Sequence, residues 1–398
     1  MAQGGTEGEA RGFPRAEFEA RAERARALMR EARLDRLLVT IEANFRYLSG
    51  FDSQFWVSPT RPWFLVLPLD GDPVAIVPEL GASGMAATWV GDVRTWPAPR
   101  PADDGVSLLT QALGEGPRRF GRVGAELGPE TSLRMPTNDF LRLREALRPL
   151  EVGDGSGVLR ALRMVKSPAE VARIRHICGI VGDGFAALPA DIEAGMSERE
   201  ACRRLRVDLL ERGADGSPYL IGVSGESGYD NIVMGPTDRV MRAGDVLIID
   251  TGSTYDGYFS DFDRNFAIGA PSDGARRAHD AVWRATEAGI AAARPGARVS
   301  EMWRAMMAVL EAEGPMANQV GGNQVGRMGH GLGLQMTEPP SVKADDDTEI
   351  APGMVLTVEP GVEWAPGKMM VHEENLVVTE AGPELLTRRA PPEMPVVG

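Results

Sequence analysis

Apolar positions recur at helical spacing from Pro14 to Arg33, which predicts an amphipathic helix at the start of the chain. Three strand-like runs follow, LLVT, WFLVLPL and VAIVPEL, the last two joined by an Asp70-Gly71 turn. A further strand signal at Arg122 to Glu126 and a helix from about Asn138 to Leu147 complete an α/β domain. The cluster Gly153, Asp154, Gly155 and Gly157 then marks a loop that sets its end near residue 155. Beyond it, Ser167-Pro168 opens a helix, with serine as N-cap and proline at the first helical position, that runs to about Leu188. A Gly195 turn and a capping box at Ser197 and Glu200 open a second helix, and strands follow. The order then recurs: a helix from about Asp273 to Ala293, a Pro295-Gly296 turn, a helix capped by Ser300 and ending before Gly314, and strands again. Helix, helix and sheet, twice over, suggest two related halves facing each other across a cleft.

A length of 398 residues fits two domains, and 43% apolar with 25% charged residues is the composition of a folded globular protein. The net charge of −14 would repel a phosphate backbone, so no nucleic acid partner is expected. The arginines between Arg21 and Arg36 alternate with glutamates in the manner of a solvated helix face. Cys178 and Cys202 have no metal-ligand spacing and read as buried thiols. The opening residues lack a signal-peptide core and no apolar run approaches the roughly 18 residues of a membrane span, so a cytoplasmic protein with no membrane partner is expected.

The chemistry concentrates in the later strands. Residues 246–268, VLIIDTGSTYDGYFSDFDRNFAI, read as strand, Asp256-Gly257 turn, strand. A turn centred between Tyr255 and Asp256 sets Asp250 opposite Asp261. Like charges across a strand pair are destabilising, so this arrangement calls for a cation or a shared proton, and a metal is the simplest answer. Residues 355–380, VLTVEPGVEWAPGKMMVHEENLVVTE, repeat the plan, and pairing about Pro366 sets Glu359 opposite Glu373. Between the hairpins lies RMGHGLGLQMTEPPS, where Gly329 and Gly331 let backbone approach closely around His330, a nitrogen donor. Four carboxylates match two divalent ions, and oxygen-rich ligation favours Mn, Fe, Co or Zn over copper. Such ions, roughly 3.5 Å apart, hold a bridging hydroxide that attacks a polarised carbonyl, which is hydrolysis. The run GGNQVGRMGHGLG lacks the Gly-Lys-Ser/Thr ending of a phosphate loop. Asp263 and Arg264 are expected to form a structural ion pair.

These motifs, Asp-x-Gly, Ser-Asp-x-x-Arg, Gly-His-Gly, Glu-Pro-Gly and a second Glu before an apolar strand, resemble the pita-bread superfamily of aminopeptidase P, prolidase and creatinase, over nearly the whole chain. The resemblance implies a creatinase/prolidase-type α/β N-terminal domain over 13–155 and an α+β pita-bread domain with pseudo-twofold repeat over 160–392. It implies a metal-dependent, Xaa-Pro peptidase-like hydrolase in which Asp250 chelates one ion, His330 and Glu359 the other, and Asp261 and Glu373 bridge. Glu338, Glu359 and Asp261 are then the candidate catalytic residues, with Glu338 as proton shuttle or as a hydrogen-bond acceptor behind the ligands.

The chain departs from the proline-specific branches at two places. Ile232, Val233 and Met234 stand where a histidine precedes the Pro-Thr-Asp-Arg segment, and Thr337 replaces the histidine of a His-Glu-x-Pro context. His372 is the local candidate to refill the lost role. The departures shift the expectation toward another small carbon–nitrogen substrate. The segments DGYFSDFDRNFAIG, LQMTEPPS and VHEEN are similar to the ectoine hydrolase branch, so metal-independent hydrolysis of an amide or amidine is the first rival. A lyase of this architecture and a non-catalytic pita-bread binding module are the others. In creatinase and its relatives the first domain reaches the neighbouring subunit's active site. In a homodimer, Arg61, within an aromatic-rich loop with Trp56, could therefore bind a substrate carboxylate. Substrate-binding candidates are thus Arg61, Trp56, Thr337 and His372, for a small-molecule or short-peptide substrate.

Overall fold

The computed structural model describes residues 10–58, 61–313 and 326–398. They divide into two compact units, 11–163 and 164–398.

In the first unit, helices α1 (Arg15–Glu31), α2 (Glu42–Ser49), α3 (Ala82–Ala86), α4 (Val106–Gly114), α5 (Thr137–Ala146) and α6 (Ser156–Met164) accompany six strands. These are β1 (Arg36–Val39), β2 (Phe64–Pro68), β3 (Val74–Pro78), β4 (Asp92–Trp96), β5 (Arg122–Ala125) and β6 (Glu151–Asp154), in the order β4-β3-β2-β1-β5-β6. Leu38, Phe64, Val66 and Ile76 from the sheet pack on Leu109, Leu113, Phe140 and Leu143 from α4 and α5. Each such side chain contributes about 1.5–3 kcal/mol on burial. The solvated arginine face expected on α1 is corrected at Arg21, which is 1% exposed. Its guanidinium lies 4.2 Å from the ring centres of Phe13 and Tyr47 and donates to the Tyr47 carbonyl. Cation–π contact and a hydrogen bond offset the desolvation.

The second unit begins with α7 (Pro168–Ala187) and α8 (Glu198–Glu211), followed by β7 (Gly216–Glu226), β8 (Asp245–Tyr255), β9 (Tyr258–Phe259) and β10 (Phe262–Ile268). It repeats with α9 (Asp273–Ala292) and α10 (Val299–Ala312), then β11 (His330–Gly331), β12 (Glu338–Ser341), β13 (Val355–Val358), β14 (Gly361–Ala365), β15 (Lys368–Val371), β16 (Glu374–Thr379), β17 (Gly382–Leu385) and β18 (Val396–Val397). One sheet runs β18-β10-β8-β7 with β9 on β8, the other β12-β11-β13-β16-β17, and β14 pairs with β15. This is the twofold helix-helix-sheet plan anticipated from the pattern.

The Ser167 hydroxyl accepts from Glu170 N while the Glu170 carboxylate accepts from Ser167 N, a full capping box that starts α7. Ser300 is not the cap of α10. It lies inside the helix, which starts at Val299 after Arg298, and its hydroxyl donates to Asp347 at 3.2 Å. Ala278, Val282 and Ala285 of α9 and Met302 and Met306 of α10 pack on Ile248, Leu356, Val358 and Leu376 of the two sheets, so one core backs both halves of the site. Cys178 and Cys202 are buried free thiols. The first five residues of the glycine-rich run before Arg327, 321–325, lie outside the described residues.

Candidate metal centre

The first hairpin turns on two residues, Asp256 (φ 48°) and Gly257 (φ 78°), both left-handed as a two-residue hairpin turn requires. This shifts the register from the one expected. Asp250 pairs with Asp263, and Phe262 with Thr251, so Asp261 is not directly opposite Asp250. Asp261 and Asp263 are two residues apart, and strand alternation sends both toward the side of Asp250. The second hairpin has the expected register on both flanks of its carboxylates: Val358 pairs with Glu374 and Gly361 with Val371, with Glu359 and Glu373 between them.

Three anchors hold the donors. Asn375 accepts from Asp261 N at 3.0 Å and donates to the Asp261 carbonyl. The buried Thr357 hydroxyl accepts from His330 N at 3.1 Å. Gly329 and Gly331 lie so close to neighbouring chain that a Cβ would come within 2.3 Å of Thr357 O and 2.2 Å of Pro339 O. The Gly-His-Gly sequence is therefore a steric requirement for bringing β11 against β13 and β12.

His330 Nε2 lies 3.4 Å from Asp261 Oδ2 and 4.0 Å from Glu359 Oε1. Ligand atoms of Asp261, His330 and Glu373 fall within 4.8 Å of one another. Nδ1 faces the Gly331 carbonyl at 2.9 Å, an acceptor only, so Nδ1 carries the proton and Nε2 presents its lone pair to the carboxylates. Burial pushes the imidazole down to about 4, so it is neutral near pH 7. A lone pair facing anionic oxygens is repulsive, and a cation between them turns the repulsion into coordination.

The carboxylates point the same way. Asp250 Oδ1 and Glu373 Oε1 are buried without a hydrogen-bond partner. Burial lifts Asp250 to about 7 against a hydrogen bond from Tyr219, and lifts Glu359 to about 7 against the Arg327 charge. Asp261 is raised well above the usual range by burial and then by Asp250 and Glu359, and Glu373 by burial and then by Asp261 and Glu359. Orphaned oxygens, mutually raised carboxyls and an inward lone pair fit divalent cations as the missing partner.

The donors line a cavity of about 220 Å³ whose other walls include Tyr219, Ile232, Val233, Arg327, Met336, Thr337 and Met369. Thr337 is thus at the cavity, and Ile232 and Val233 fill the other position where a histidine was expected. Glu338 is not among the described lining residues. It is 4% exposed, and its carboxylate accepts from Lys166 Nζ at 3.1 Å and Gln335 N at 3.0 Å. His372 is also turned away. Beside Glu373 in an extended run it faces the opposite side, bonded to Thr286 through Nδ1 at 3.2 Å and to Arg389 through Nε2 at 3.1 Å. His372 is not among the described residues that line the cavity. The expected Asp263–Arg264 ion pair is absent for the same reason. Arg264 pairs instead with Glu374 at 3.0 Å, while Asp263 accepts from Glu373 N at 3.3 Å.

In the first unit, Trp56 packs edge-on against Phe45 and tilted against Trp63, 7% exposed, so its ring belongs to an aromatic cluster there. The Arg61 carbonyl accepts from Arg134. Sequence reasoning missed Tyr219, Arg327, Lys166 and Asn375. Only Arg327 carried a local signal, three residues before His330.

Residues 172–381 match the model of metallopeptidase family M24, and residues 21–165 that of the creatinase/prolidase N-terminal domain. A probable dipeptidase PepE of Mycobacterium tuberculosis is 30% identical over 378 residues, 94% of this chain and 95% of that protein. An Xaa-Pro dipeptidase of Pyrococcus furiosus is 28% identical over 233 residues, 58% of this chain and 65% of that protein. The crystal structure of dipeptidase PepE from Mycobacterium ulcerans superposes with a TM-score of 0.83 at 30% identity, covering 97% of this chain and 99% of that one. No helix among the described residues is long and apolar enough to cross a membrane.

Proposed function

The chain belongs to metallopeptidase family M24 and carries the creatinase/prolidase N-terminal domain, and from that footing we propose that it is a two-metal hydrolase opening the carbon–nitrogen bond of a dipeptide-sized substrate. The observation that carries this reading is the His330 Nε2 lone pair facing Asp261 Oδ2 at 3.4 Å beside the orphaned oxygens of Asp250 and Glu373. Asp250, Asp261, His330, Glu359 and Glu373 would hold the ions. When bound, two ions of the Mn, Fe, Co or Zn type supply an acidified water and Lewis-acid polarisation of the scissile carbonyl.

The remaining work falls to the chain. Asn375 and Thr357 keep Asp261 and His330 in place, and Asp261 and Glu359 are assigned proton transfer toward the departing nitrogen. Glu338 acts from behind the wall: by holding Gln335 N it fixes the turn that carries Met336 and Thr337 to the cavity. Ile232, Val233 and Met369 offer apolar contact to a side chain, and the Thr337 hydroxyl a hydrogen bond. The dipeptidase and Xaa-Pro dipeptidase names of the relatives support a peptide substrate. The missing histidines favour a specificity broader than proline. In a homodimer, Arg61 of a second copy would reach the substrate, and an unchanged KM in Arg61→Ala would remove it from the site.

Elemental analysis of protein purified without added metal, and again after Mn reconstitution and dialysis, tests the reading together with a panel of dipeptides and cyclic amidines. About two ions per chain, lost in Asp261→Ala, and chelator-sensitive dipeptide cleavage are expected. Metal near zero in both preparations, or activity that survives chelation, would replace it with direct carboxylate catalysis.

A further inference from the structure

We propose that the second unit holds a further ligand site, behind the metal centre, for an uncharged single-ring molecule carrying a hydroxyl that His279 binds. A cavity of about 250 Å³ lies between α7, β10, α9 and the segment 388–395, and among the described residues it shares no lining residue with the metal cavity. Phe185, Pro189, Phe266, Pro391 and Pro395 make its wall largely apolar. His279, on α9, lines it at 3% exposure, and neither ring nitrogen has a hydrogen-bond partner. Burial pushes the imidazole down to about 4, the Pro391 carbonyl acting against this from outside hydrogen-bond geometry, so near pH 7 the ring is neutral. A neutral imidazole carries one donor and one acceptor, and leaving both unmade in a buried place is costly. A hydroxyl, which donates and accepts, can answer either nitrogen.

Arg264, Arg388 and Arg389 also line the cavity, and no acid does among the described residues. Each arginine is already paired: Arg264 and Arg389 with the buried Glu374 at 3.0 Å, Arg389 also with Glu287 at 2.6 Å, and Arg388 with Asp183 at 2.5 Å. Three cations meet three acids, so no charge is left for an ionic ligand to neutralise. An apolar cavity of roughly 150 Å³ takes up benzene, whereas drug-sized ligands need roughly 300 Å³ or more, so about 250 Å³ suits a single ring. Arg264 also donates to the Glu373 carbonyl at 3.0 Å, and His372, another wall residue, directly precedes Glu373. An occupant thus presses on the groups that fix a metal donor. Its binding and the metal's are thereby linked, each altering the other's affinity by the same factor. The linkage rests on the two-metal reading above; the pocket does not.

Fluorine NMR of the metal-stripped full chain, with para-fluorophenol, fluorobenzene and para-fluorobenzoate as probes, tests the site. A net hydrogen bond is worth roughly 2- to 10-fold. The fluorophenol should bind once per chain, tighter than fluorobenzene by about that factor, with the benzoate weakest. His279→Leu should erase the preference for the phenol over fluorobenzene. Ala186→Phe, at an exposed position of the wall, should block all three probes. No binding of the fluorophenol would leave the cavity to water and overturn the site. So would tighter binding of the benzoate, a preference that survives His279→Leu, or binding untouched by Ala186→Phe. Calorimetric titration with Mn, with and without saturating fluorophenol, reads the linkage. A change in the Mn Kd of at least about twofold, removed by Ala186→Phe, is expected; an unchanged Kd would overturn the linkage. If no metal binds at all, the two-metal reading fails by itself, and the NMR comparison still decides the pocket.

Discussion

Replacing Lys166 with methionine removes the ammonium while keeping most of the stem, and leaves the Glu338 carboxylate buried without its ionic partner. In the structure the pair is 3.1 Å apart, with side chains only 2% and 3% exposed. Solvent therefore screens little of the loss. Removing one member of a buried pair costs about 3–5 kcal/mol, because the remaining charge keeps its desolvation penalty. The second unit spans residues 164–398, and in domains of that size 1 kcal/mol moves Tm by about 2–4 °C. Lys166→Met should therefore lower Tm by about 10 °C. The double variant Lys166→Met/Glu338→Gln, which removes both charges, should recover more than half of that loss. Thermal unfolding of the metal-loaded protein followed by circular dichroism at pH 7.5 measures both. A drop under 2 °C, or a double variant no more stable than the single one, would refute the reasoning and make the pair energetically idle. The same variant should weaken metal retention, since Glu338 also holds the turn between His330 and Thr337.

Metal binding should release protons near neutral pH. Asp250 and Glu359 are lifted to about 7 in the metal-free chain and hold protons below it, whereas His330, pushed down to about 4, has none to give. Titrating Mn into stripped protein at pH 6.5 in two buffers of different ionisation enthalpy should show this release, and at pH 8.5 it should be smaller, because Asp250 and Glu359 have by then lost their protons; equal release at both would contradict the raised carboxyls. Gly329→Ala should abolish metal retention and cost at least about 2 kcal/mol, because the residue sits at φ 141° and its Cβ would meet Thr357 O at 2.3 Å; elemental analysis and urea unfolding check it. Thr357→Val leaves the buried His330 N–H without its acceptor at 3.1 Å and should cost about 1–3 kcal/mol, with metal affinity falling alongside, by isothermal calorimetry. A stable, metal-replete Thr357→Val would show that His330 is positioned by other contacts.

The sequence by itself determined the features whose physics is local. Ser167 and Glu170 cap α7 because the two groups are three residues apart, and Gly329 and Gly331 flank His330 because only a missing Cβ permits that approach. The order of Asp250, Asp261, His330, Glu359 and Glu373 was legible for a related reason, since hairpins bring residues that are near in sequence onto neighbouring strands. Even there, the tertiary structure decided the register of the first hairpin. Asp256 takes a left-handed conformation that makes the turn two residues long, with Arg173 donating to its carboxylate at 2.8 Å and Asp215 accepting from its backbone N at 2.7 Å.

Long-range packing decided the rest. Lys166 meets Glu338 across 172 residues of sequence, and Tyr219 reaches Asp250 only because β7 pairs with β8. Neither residue carries a sign of its partner. His372 and Glu373 are adjacent carriers of chemistry, yet alternation of the extended chain sends one to Thr286 and Arg389 and the other to the cavity. Arg21 looked like one more solvated arginine until two aromatic rings, Phe13 and Tyr47, closed over it. A side chain's type is written in the sequence, but its surroundings depend on which distant strands and helices bury it.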